Sequence, residues 1–119
     1  MTTEELREYV GQAHCDATAG RHARFSELSR KLAVRLAKDL GLREGAYALR
    51  DDAPGQGVVM EADNLRVWFR RTGIIFQGRC GRDDGCPNWV PLRSALLNYE
   101  RIVGMCRDSM RLLPTFRSL

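Results

Sequence analysis

Hydrophobic positions recur along this chain with two periods, and the change from one to the other divides it. Leu6, Tyr9, Val10 and Ala13 fall at helical intervals behind Thr2 and Glu5, which have the spacing of a capping box. The pattern predicts a first helix that fades near Cys15, followed by the connector Asp16-Ala17-Thr18-Ala19-Gly20. Phe25, Leu28, Leu32, Leu36 and Leu40 form the apolar stripe of a second helix from about Arg21 to Leu40. Gly41 is placed to end it.

From Ala46 the period falls to two. Ala46 to Arg50 reads as a short strand closed by the turn Asp51-Asp52-Ala53-Pro54-Gly55. Two hairpins follow between Val58 and Cys80. A turn at Asp63-Asn64 sets Ala62 opposite Leu65, Met60 opposite Val67 and Val58 opposite Phe69, with Glu61 against Arg66 and Val59 against Trp68 on the other side. A second turn at Thr72-Gly73 would set Phe69 against Phe76, Val67 against Gly78 and Leu65 against Cys80. Its outer pairs would be Arg70 with Ile75, Trp68 with Gln77 and Arg66 with Arg79. Every inner pair is then apolar and most outer pairs are polar, an arrangement that a one-residue slip would destroy.

Residues 81–90 read as a long, turn-rich loop. Pro91 suits a first helical turn, and a last helix is expected to run to Leu113, stopped by Pro114. Leu92, Leu96, Tyr99, Val103, Cys106, Met110 and Leu113 follow one another at alternating steps of 4 and 3, a heptad seam. The expected fold is a single α+β domain over residues 1–119. Its parts are N-terminal helices (about 2–41), an antiparallel three-to-four-stranded β-meander (about 45–80), the loop, and a long C-terminal helix (about 91–113) packed on the sheet.

Composition narrows the function classes. At 119 residues and 44% hydrophobic the chain suits one core. No apolar run approaches the roughly 18 residues of a membrane span. The opening Met1-Thr2-Thr3-Glu4-Glu5-Leu6-Arg7-Glu8 lacks the apolar stretch of a secretory signal, so a cytoplasmic protein with reduced thiols is expected. The net charge of +4 conceals alternating blocks: −3 over residues 1–20, +5 over 21–43, −4 over 44–63, +5 over 64–82 and +1 over 83–119. The positive charge is thus concentrated in a helix and a hairpin.

Three kinds of chemistry compete. The outer hairpin face carries Arg66, Trp68, Arg70, Gln77 and Arg79, pairing cations with a large aromatic that can meet an acidic or planar partner. The bland alternative is a solvated strand face, or one covered by the first helix. Arg24, Lys31, Arg35 and Lys38 share a face of the second helix and would extend the first surface towards nucleic acid, although charge on an outer helix face is ordinary. Cys80 and Cys86 are the remaining candidates, but the five residues between them exceed a zinc-knuckle spacing. His14, Cys15, His22 and Cys106 lie far away in sequence, so no metal site is expected. Cys15 and Cys106 read as small apolar residues.

No nucleophile elbow, phosphate-cradling glycine loop or His-Glu zinc motif is present, and Asp51-Asp52 and Asp83-Asp84 sit in turns. No catalytic residue and no cofactor are expected. The heptad seam has two uses, as packing against the sheet or as a homodimer interface through Leu92, Leu96, Tyr99, Val103 and Met110. The sequence therefore supports a small, non-enzymatic, homodimeric interaction module that binds a macromolecular partner, a protein before a nucleic acid, through its basic, Trp-bearing sheet face. The nucleic-acid reading stands second and a thiol- or metal-dependent enzyme third.

Overall fold

Helix α1 (Thr3–Ala13) begins where its capping box predicts. The Thr2 N–H donates to Glu5 Oε1 (3.1 Å) and the Glu5 N–H donates to Thr2 Oγ1 (3.2 Å), satisfying two amides that a helix start leaves unpaired. Helix α2 (Ala19–Asp39) stops at Gly41, whose φ of +77° is open to glycine at little strain. There the Leu42 N–H reaches back to the Ala37 carbonyl (2.9 Å) and the Gly41 N–H to that of Lys38 (3.0 Å), a Schellman motif.

In this computed structural model the described residues are 2–13, 19–52, 57–80, 83–84, 88–91 and 99–118. Side chains are described for all of these except 19–22, 79–80, 83–84 and 111–118. After the helices come strands β1 (Tyr47–Asp51), β2 (Val58–Ala62), β3 (Leu65–Phe69), β4 (Gly73–Cys80), β5 (Asp83–Asp84) and β6 (Asn88–Pro91), then helix α3 (Tyr99–Ser118). β1 to β4 form an antiparallel meander, and both β5 and β6 pair with β4. The fold is α+β, with the helices packed on the sheet.

The alternation of the strands sets the core. Val58, Met60, Leu65, Val67, Phe69, Ile74 and Phe76 are buried on one sheet face. They join Phe25, Leu28, Leu32 and Leu36 of α2 and Tyr99, Ile102, Val103 and Cys106 of α3. Each large side chain so buried contributes about 1.5–3 kcal/mol of transfer free energy. Helix α1 adds Leu6, Tyr9 and Ala13 from its seat on α2.

Three expectations need correction. The first hairpin keeps its expected register, but the second is offset by two residues. Leu65 pairs with Gly78, Val67 with Phe76, and Phe69 with Ile74, around a turn at Arg71-Thr72 closed by reciprocal Arg70 and Gly73 bonds of 3.0 and 3.3 Å. A slip of two leaves every side chain on its own face. It also sets Arg66 against Gln77, avoiding the like-charge pair with Arg79.

The expected loop contains β5 and β6. Pro91 ends β6 at an outer strand of the sheet, where a missing N–H is tolerated, and does not open a helix. Finally, α3 continues through Pro114. Pro114 has no N–H for the Met110 carbonyl four residues back, and Asn64 Nδ2 reaches that carbonyl at 3.4 Å.

Candidate partner-binding face

The three described helices contribute to the core on one side of the sheet, and the outward residues of the strands form the other side. The registers align these into cross-strand rows. Arg50 lies beside Val59, Val59 beside Trp68, Trp68 beside Ile75, and Ile75 beside Trp89. The next row runs Ala48, Glu61, Arg66, Gln77. Val59 is fully buried, Trp68 and Ile75 are half-buried, and Trp89 is 56% exposed. An apolar band thus crosses four strands and opens to solvent at Trp89.

Gly73 makes the far end of the band possible. Its outward side lies under the Trp89 indole, and a Cβ there would fall within 3 Å of Trp89 Nε1 and Cδ1. The sequence reading gave Trp89 no role, and it placed Val59 and Ile75 on the outer side of the hairpins without counting them among the partner-binding residues. The signal available was the alternation of Asn88, Trp89, Val90 between two prolines, which assigns Trp89 outward once β6 is recognised as a strand.

The face's cations are braced by carboxylates. Glu61 receives Arg50 at 2.6 Å and lies 3.8 Å from Arg66, whose guanidinium sits 5.7 Å from the Trp68 ring centroid. Arg70 Nε donates to Asp52 Oδ2 at 2.9 Å. Arg66, Trp68, Arg70 and Gln77 therefore share one face, half-buried and positioned by their own chain. Arg79 occupies the outward register of β4, but its side chain lies outside the described residues.

The basic stripe of α2 does not extend this surface, because α2 packs on the opposite side of the sheet. Its cations are also engaged. Arg24 makes a two-pronged contact with Glu8 (2.6 Å each) and lies 3.1 Å from Glu27. Lys31 meets Glu5 at 2.7 Å. Arg35 lies 3.7 Å from Asp39 and 4.3 Å from the Tyr99 ring centroid. Lys38 is exposed.

On α3, Tyr99 and Val103 are buried in the core of their own chain and Met110 is half-buried at its edge. Leu92 and Leu96 lie outside the described residues. Cys106 is a core residue whose thiol is pushed up to about 12 by burial, leaving it protonated at neutral pH. Cys15 and Cys86, and the Cys80 side chain, lie outside the described residues. Among the described residues no His, Cys, Asp and Glu gather as a metal site, and no helix is long and apolar enough to cross a membrane. No protein-family model, curated protein or solved structure matches the chain, so the reading of this face rests on its own geometry.

Proposed function

We propose that this chain is a protein-binding module that uses the sheet face opposite its described helices. The observation that carries this reading is the cross-strand band of Val59, Trp68, Ile75 and Trp89, flanked by Arg50, Arg66 and Arg70. Tryptophan and arginine on a rigid sheet are the residue types that concentrate binding energy at protein interfaces. A protein partner is favoured over nucleic acid because the neighbouring carboxylates of Glu61 and Asp52 already offset the cations a phosphate backbone would need. A single copy carries the whole face.

The reading is tested by placing a photo-crosslinking residue at Gln77 and, as a control, at Val34 on the far side of the molecule. Crosslinks to one partner from position 77 alone, lost in Trp68→Ala or Trp89→Ala, are expected. Each alanine should weaken binding by about 2 kcal/mol, roughly thirtyfold. Tryptophan fluorescence should stay flat on titration with single- and double-stranded oligonucleotides between about 50 and 200 mM salt. Quenching that falls with salt and is lost in Trp68→Phe would move the assignment to nucleic acid.

A further inference from the structure

Helix α1 lies on α2 as an acidic strip on a basic one. Glu8 takes Arg24, Glu5 takes Lys31, and Glu27 stands between the two cations at 3.1 and 3.9 Å. Beneath these pairs the Tyr9 ring packs 5.1 Å from that of Phe25. At the far end Arg71 donates to the Gln12 carbonyl (2.9 Å) and covers Phe25 with its guanidinium (4.6 Å). An apolar floor at Phe25 is thus framed by Arg24, Lys31 and Arg71, and it receives an acidic amphipathic helix. The seated helix has carboxylates at i and i+3 (Glu5, Glu8) and buried residues at i+1, i+4 and i+8 (Leu6, Tyr9, Ala13).

Three features make α1 a loosely held occupant. Its 11 residues fall below the length at which a helix stands alone in water. Gly11 weakens it further without a packing reason, since an added methyl would meet nothing within 4 Å. Seating also leaves Tyr9 Oη and Gln12 Oε1 buried without a hydrogen-bond partner among the described residues. Ion pairs this exposed give selectivity more than strength.

We infer that the α1-covered face of α2 is a docking groove for an acidic amphipathic helix of a partner protein, and that α1 is its resident occupant, displaced when the partner binds. The charge complementarity is demonstrated by α1 itself. This groove is separate from the tryptophan face, and the two surfaces can serve different partners.

The test uses the full chain and a fluorescently labelled peptide with the sequence of residues 2–13. A Glu5→Lys/Glu8→Lys chain should bind the peptide about 10-fold more tightly than wild type, because its own α1 competes less. Gly11→Ala should bind it about 3- to 5-fold more weakly, because its α1 is a better helix. Adding Lys31→Glu to the charge-reversed chain should abolish binding. Native-state hydrogen exchange on the unmodified protein supplies the second readout. There, α1 amides should exchange through a local opening well ahead of those in β3. Equal protection of α1 and β3, or no peptide binding by a folded charge-reversed chain, would overturn the inference.

Discussion

Tyr9 and Tyr99 are both buried, but only one of them has somewhere to put its proton. The Tyr99 hydroxyl donates to Asp39 Oδ2 at 2.7 Å, whereas that of Tyr9 has no partner among the described residues. Burial raises the pKa of both phenols, and at Tyr99 the Asp39 carboxylate raises it further. An unpaired buried hydroxyl costs about 1–3 kcal/mol. Tyr9→Phe keeps the ring on Phe25 and should raise the unfolding free energy by about 1 kcal/mol in urea. Tyr99→Phe should lower it by about 1.5 kcal/mol, since the lost bond is to a charged group. A destabilised Tyr9→Phe would mean that its hydroxyl is bonded.

At the scale of elements, α1 is the part whose stability follows pH. Lys31, then the Thr2 backbone, hold the Glu5 carboxyl down at about 2, against an ordinary 4.5. The Arg24 guanidinium lowers that of Glu8. Both folded values lie below the unfolded one, so the stabilisation is complete above about pH 4.5 and is lost as pH falls through the folded values towards 2. Facing these carboxylates are Arg24, Glu27 and Lys31, with Arg71 at the helix end. Amide protection in α1 should therefore decline over that window ahead of the sheet, and Glu5→Gln/Glu8→Gln should flatten the decline.

The other end of the chain offers a second test. Asn64 serves the carbonyl that Pro114 leaves unpaired, so Asn64→Ala should cost about 1 kcal/mol. It should cost less in a Pro114→Ala background, where the helix can supply its own donor. Additive costs would show the contact to be incidental.

The elements also mark what could be read in advance. The start of α1 and the stop of α2 were legible because Thr2, Glu5 and Gly41 act on backbone within a few residues of themselves, whereas the ends of α3 were not. The faces of β3 and β4 were legible because a period of two survives any even slip. The same insensitivity hid the true register of their hairpin, which depends on a turn at Arg71-Thr72 that carries no glycine. Strand β6 was hidden because four residues ending in proline carry little pattern, and Trp89 was hidden with it.

Across the whole molecule, the alternating charge blocks of the sequence become pairs. Acidic α1 meets basic α2, and the acidic stretch around Asp51, Asp52 and Glu61 meets Arg30, Arg70, Arg50 and Arg66. Part of the charge that looked available for a polyanion is paired within the fold, at Arg24, Arg30, Lys31, Arg35, Arg66 and Arg70. For that reason the tryptophan band, and not the net charge of +4, is the better guide to function. The sheet divides the labour, with one face holding the core and the other offering Trp68 and Trp89.

The meander has a kinetic consequence. β2 and β3 are separated by two residues, β3 and β4 by three, and β1 and β2 by six, so these pairings close short loops. The docking of α3 on β4 must instead bring together segments far apart along the chain. Loop-closure entropy favours the nearer encounters. The two hairpins should form the folding nucleus, and α3 should add its weight after the barrier. Substitutions at Val67 or Phe76 should then slow refolding, while Ile102→Val should act almost wholly by speeding unfolding.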